Sequence, residues 1–112
     1  MIYVKDLPGM AAFYEEVLGL KVVEETRAEG WVEFEAGAVR LGLHAIPAEI
    51  AEEIEITVPP VARVETPLKF IFEVEDIGVL AARGLIVIEQ PWGGCDGVDP
   101  EGNIFHLFVV KR

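Results

Sequence analysis

The chain has 112 residues, with 20 acidic and nine basic side chains and a formal charge of −11. That length suits one domain, and that charge repels nucleic acid and anionic membranes, which leaves neutral or cationic small molecules as the easier partners. Hydrophobic residues make up 52% of the chain, but its longest apolar runs, such as 105–110, are too short to span a bilayer.

In chain order, residues 1–5 read as a strand, and Asp6 before Leu7-Pro8 reads as a helix cap followed by an early proline. Met10, Phe13, Tyr14, Val17 and Leu18 recur at helical spacing until Gly19 ends the run. Residues 20–25 are expected as a second strand, 31–35 as an alternating third and 39–46 as a fourth. The stretch 48–66, acidic and broken by Pro59-Pro60, reads as a linker with at most one helical turn or a stray strand. A strand over 68–74, a two-turn helix over 77–82 and a strand over 85–89 follow. An irregular glycine-rich strand over 92–98 and a last strand over 103–110 complete the chain, joined by a hairpin turn at Asp99-Pro100-Glu101-Gly102-Asn103.

This order repeats. Val4-Lys5-Asp6-Leu7 returns as Val74-Glu75-Asp76-Ile77, and Leu18-Gly19-Leu20-Lys21-Val22 as Arg83-Gly84-Leu85-Ile86-Val87. The second copy is shorter between its Asp and its Gly by more than one helical turn. The expected organisation is one domain over 1–112, with modules 1–47 and 67–112 around the 48–66 linker, because each half is too small to bury a core alone. Met1 leads directly into a strand, with no signal or lipidation motif, and the single Cys95 forms no internal disulfide. A cytoplasmic protein is expected.

Asp6-Leu7 with Phe13-Tyr14-Glu15-Glu16-Val17-Leu18-Gly19-Leu20 resembles the helix signature of the vicinal oxygen chelate superfamily. This group takes in glyoxalase I, extradiol dioxygenases, fosfomycin-resistance enzymes and bleomycin-resistance proteins. Phe72-Glu73-Val74-Glu75-Asp76-Ile77, Gln90-Pro91-Trp92-Gly93 and Asp99 to Asn103 are similar to its second-module signatures. The resemblance implies an α+β fold, two tandem βαβββ modules whose curved mixed sheets form a cleft, often completed by a second subunit. It also implies, in metal-using members, one His or carboxylate ligand from the first and last strand of each module.

Against that pattern the first-strand ligand position falls ahead of Met1, and the fifth-strand position holds Lys69, whose ammonium is a poor ligand. The eighth-strand position holds His106, an acceptable one. On the fourth strand, counting from Gly37 gives Leu41. Apolar alternation instead sets Val39, Leu41 and Leu43 against the helix and gives Arg40; it is preferred, because the other register buries Arg40 and His44. No cofactor is therefore expected, with a divalent Zn, Ni, Mn or Fe ion as the alternative.

Period-two alternation places Arg40, Gly42 and His44 on the cleft side of one strand and Ile104, His106 and Phe108 on that of another. Tyr3, Trp31, Glu33, Glu35, Lys69, Ile71 and Glu73 share that side. His106 is the candidate catalytic residue and metal ligand, its other readings being an acid-base group in a pocket or a packed surface histidine. The candidate ligand-binding residues are Tyr3, Trp31, Glu33, Glu35, Arg40, His44, Lys69, Glu73, Trp92 and Phe108. Arg40 and Lys69 either hold an anionic group or pair with Glu33, Glu35 or Glu73; Trp92 either walls the cleft or caps the core. The expected function is binding of a small organic molecule by a homodimer lacking an intact metal site. The rivals are a glyoxalase I-type lyase or isomerase, or a dioxygenase-like enzyme, using His106, and a pure dimerisation module.

Overall fold

The computed structural model describes residues 1–110, and the duplication governs it. The first half runs β1 (Ile2–Val4), α1 (Leu7–Ala12), β2 (Lys21–Val22), β3 (Trp31–Ala36) and β4 (Val39–Ala45). After the single turn α2 (Ala48–Ala51), the second half runs β5 (Phe70–Val74), α3 (Ile77–Ala82), β6 (Ile86–Glu89), β7 (Cys95–Val98) and β8 (Ile104–Val109). Each half builds one four-stranded sheet, ordered β1-β4-β3-β2 and β5-β8-β7-β6. In both, the first strand runs parallel to the last and the other pairs are antiparallel. The fold is α+β with two mixed sheets, as expected. The chain separates into two units between Thr57 and Val58.

The repeated Asp and Gly residues explain why the halves fold alike. Asp6 Oδ1 accepts from the Gly9 N–H at 3.1 Å, and Asp76 Oδ1 from the Val79 N–H at 3.3 Å, so each satisfies a donor that a helix start leaves open. Gly19 (φ 73°) and Gly84 (φ 104°) supply the left-handed residue that ends each helical run. After α1 the helix continues over Phe13–Val17 with wider π-type turns, the Leu18 N–H reaching Phe13 O at 3.3 Å.

One face of each sheet is packed. In the first unit Val4, Met10, Tyr14, Phe34 and Leu43 are fully buried, and burying a large apolar side chain contributes about 1.5–3 kcal/mol. In the second, Phe72, Leu80, Leu85, Phe105 and Leu107 fill the equivalent layer, with the Phe72 and Phe105 rings edge to face at 5.1 Å. The expected alternation on β4 holds: Leu41 and Leu43 are buried while Arg40 and His44 are exposed.

Several boundaries differ from expectation. The second strand is only two residues, because Thr26 turns the chain back, its hydroxyl and N–H both donating to Val23 O. Val39 belongs to the packed side of β4 but stands exposed, since it is the first residue after the hairpin. The strand expected over 92–98 is limited to 95–98. Residues 90–94 instead close a turn in which Gly93 N–H donates to Gln90 O and Gln90 N–H to Gly94 O. Beyond α2 the expected linker holds no further regular element, and within the first unit Lys5 Nζ donates to the Ile54 carbonyl. Among the described residues no helix is long and apolar enough to cross a membrane.

Candidate functional site

Strand register assigns each candidate side chain to a face, since residues paired across a ladder point the same way. In the first sheet Tyr3 and Trp31 both stand opposite His44, Glu33 stands opposite Gly42, and Glu35 opposite Arg40. All six predicted residues of this module therefore share the unpacked face. Tyr3, His44 and Trp31 form a row across three strands, with ring centroids 5.3 Å and 6.2 Å apart. A Cβ at Gly42 would strike the far edge of the Trp31 indole, so the missing side chain lets that ring lie across the strand. His44 Nδ1–H donates to Ala45 O at 2.8 Å.

The charges on this face pair with one another. Arg40 meets the Glu33 carboxylate at 2.7 Å, and Thr26 Oγ1 lies 3.3 Å from the same oxygen. Of the two roles open to Arg40, the structure contains the ion pair with Glu33.

In the second sheet Ile71 stands opposite His106, Glu73 opposite Phe108, and Asp96 opposite His106 on its other side. Asp96 is the centre of this face and is 1% exposed. Its Oδ2 accepts from Lys69 Nζ at 2.7 Å and from Gln90 Nε2 at 2.6 Å, and its Oδ1 faces His106 Nδ1 at 3.1 Å. Burial alone would raise the Asp96 carboxyl pKa. Hydrogen bonds from Lys69, Gln90 and His106, with the Lys69 charge, outweigh that and hold it below the ordinary value. An ionised carboxylate only accepts, so Nδ1 carries the imidazole proton.

Around this centre the surface is apolar and open. Ile71 is 65% exposed, Phe108 53% and Trp92 76%, and the Lys69 ammonium lies 5.9 Å from the Trp92 ring centroid. Trp92 thus neither caps the core nor lies buried; it stands at the tip of the 90–94 turn beside Lys69. Lys69 is paired, but with Asp96 rather than with Glu33, Glu35 or Glu73. Ile104, expected on the open side, does share the His106 face but is buried opposite Val98.

Sequence reasoning overlooked Asp96 and Gln90. Counting back from the hairpin turn sets Val98 against Ile104 and therefore Asp96 against His106, a signal hidden by reading 92–98 as irregular.

A family model described as the Glyoxalase/Bleomycin resistance protein/Dioxygenase superfamily matches residues 1–107. The chain belongs to this superfamily. Among curated proteins none matches the chain. Solved structures share its fold. A glyoxalase/bleomycin resistance protein/dioxygenase family enzyme from Burkholderia phytofirmans PsJN is 23% identical with a TM-score of 0.64, over 95% of this chain and 91% of that one. A bleomycin resistance determinant encoded on the transposon Tn5 is 22% identical with a TM-score of 0.58, over 99% and 94%. A bleomycin-binding protein complexed with bleomycin is 21% identical with a TM-score of 0.60, over 98% and 94%.

Of the two second-module positions that the resemblance assigns to metal ligands, one holds Lys69 and the other His106. Among the described residues no three His, Cys, Asp or Glu side chains come together to hold a metal ion. The fifth-strand position is filled by the Lys69 ammonium, already bound to the carboxylate that orients His106, so a second cation beside it is repelled. What the centre offers is one imidazole nitrogen, an ammonium and an apolar rim.

Proposed function

We propose that this superfamily member binds a small organic molecule, neutral or cationic, without a family-type metal site. One observation carries the reading: a buried, fully partnered Asp96 centre lies among large apolar side chains that stand in solvent. Ligand sites are built this way, with an apolar surface for affinity and a few fixed polar groups for orientation. In this reading Ile71, Trp92 and Phe108 supply the apolar contact, and His106 is the polar or acid-base group. The exposed carboxylate Glu73, opposite Phe108 on the same face, meets a cationic group. The acidic chain attracts cations, and a superfamily neighbour is a bleomycin-binding protein complexed with bleomycin. The protein acts in the cytoplasm as a homodimer, in keeping with its lone free thiol; light scattering of the purified protein tests the dimer.

The reading is tested by titrating metal-stripped, isotope-labelled protein with a panel of small aromatic amines and neutral aromatics. Saturable shifts at Ile71, Trp92, His106 and Phe108 are expected; binding only after a divalent ion is added contradicts it. The second reading, a glyoxalase I-type lyase, is favoured by the Asp96–His106 hydrogen bond, an arrangement that also orients metal-bound histidines. Stoichiometric Zn, Ni, Mn or Fe in the purified protein would turn the account to it.

A further inference from the structure

The two nitrogens of His106 have different fates. Nδ1 is tied to Asp96 Oδ1, whereas Nε2 has no hydrogen-bond partner among the described residues, on a side chain 32% exposed. With the proton on Nδ1, Nε2 carries a lone pair. The backbone beside it is bare: a Cβ on Gly94 would lie 3.0 Å from His106 Cε1 and 3.8 Å from Nε2. The φ of +82° at Gly94 further restricts that position to glycine, so the turn keeps the acceptor edge of the ring uncovered.

We propose that Asp96 positions His106 so that Nε2 serves as a hydrogen-bond acceptor for the bound molecule, which carries a neutral O–H or N–H donor on an apolar body. This rests on the small-molecule reading above and narrows its ligand class. The apolar body follows from the neighbours: Ile71 beside His106 on β5 and Phe108 two residues along β8 are large, apolar and exposed on the same face. The neutral donor follows from the charges. Lys69 shares the Asp96 carboxylate with His106, so a cationic donor at Nε2 would sit near an ammonium, whereas phenol-type, enol or heteroaromatic N–H donors would not be repelled. Asp96 is a positioning residue, deep beneath the surface the ligand would touch.

The test uses metal-stripped protein labelled with ¹⁵N at His44 and His106, with His106→Leu to assign the signals. Long-range ¹H–¹⁵N spectra at pH 8 should show His106 with a protonated Nδ1 and a bare Nε2; a proton on Nε2 overturns the proposal without any ligand present. Phenol and its methyl ether anisole are then titrated as a matched pair differing in the donor. Phenol should bind about threefold to tenfold tighter and move the Nε2 resonance, a preference lost in His106→Leu. Equal binding of the two probes overturns the acceptor role while leaving the small-molecule reading standing. If neither probe perturbs any resonance of this face, the binding reading itself fails there and this inference falls with it.

Discussion

Asp96→Asn keeps the size of the side chain and removes its charge, so it isolates what the buried carboxylate contributes. Three donors reach Asp96 in the folded protein, and a hydrogen bond to a charged group is worth about 1 kcal/mol more than a neutral one. Part of that gain is offset because the amide is cheaper to bury than the carboxylate, and because Lys69 and His106, each about one-third exposed, regain water. A loss of about 2 kcal/mol at pH 7 is expected from urea denaturation followed by circular dichroism. The pH dependence fixes the cause. A carboxyl held low in the folded state contributes stability fully above its unfolded value of about 3.9, and loses it as pH falls through the lower folded value. The difference between wild type and Asp96→Asn should therefore shrink as pH falls below about 4. A difference under about 0.5 kcal/mol at pH 7, or one that persists unchanged into acid, would refute the reasoning.

Two glycines that lie against rings should respond differently to alanine. Gly97→Ala pushes a Cβ into the buried Phe105 ring and toward Leu85, and overpacking of this kind costs about 1–3 kcal/mol in denaturant titrations. Gly42→Ala meets only the outer edge of the half-buried Trp31, so the ring should swing away, with a changed fluorescence and a loss below about 1 kcal/mol. Asp99→Ala strips the β7–β8 turn of an acceptor for the Glu101 and Asn103 N–H groups and for Asn103 Nδ2. About 3 kcal/mol of stability should be lost, read by the same titration. Arg40→Ala removes a surface ion pair with Glu33 and should cost no more than about 1 kcal/mol, a small effect that added salt weakens further.

The scaffold was legible because its signals are local and doubled. Asp6 and Asp76 cap helices, Gly19 and Gly84 end them, and alternation over β3 and β4 sorts Val32, Phe34, Leu41 and Leu43 from Glu33, Glu35, Arg40 and His44. The candidate face was legible only in part. His106, Phe108 and Ile71 follow from period two, but their common partner Asp96 lies in a strand of Cys95, Asp96, Gly97 and Val98 that presents too few side chains to reveal a period. Lys69 lies just before β5, where register can be extended but a partner two strands away in sequence order cannot be read from spacing. The shortness of β2 was hidden for a different reason: Val22 and Val23 have strand character, and a turn built by Thr26 ends the pairing.

The claim at the centre of this account is that the Asp96–His106–Lys69 face works without a resident metal. Elemental analysis of the purified protein, followed by thermal unfolding before and after chelation and with added Zn, Ni, Mn or Fe, tests it most directly. A ligand held only by the folded state must raise stability. The account predicts substoichiometric metal, with unfolding temperatures that neither chelation nor added ions move. One equivalent of a divalent ion whose removal lowers the unfolding temperature would contradict it.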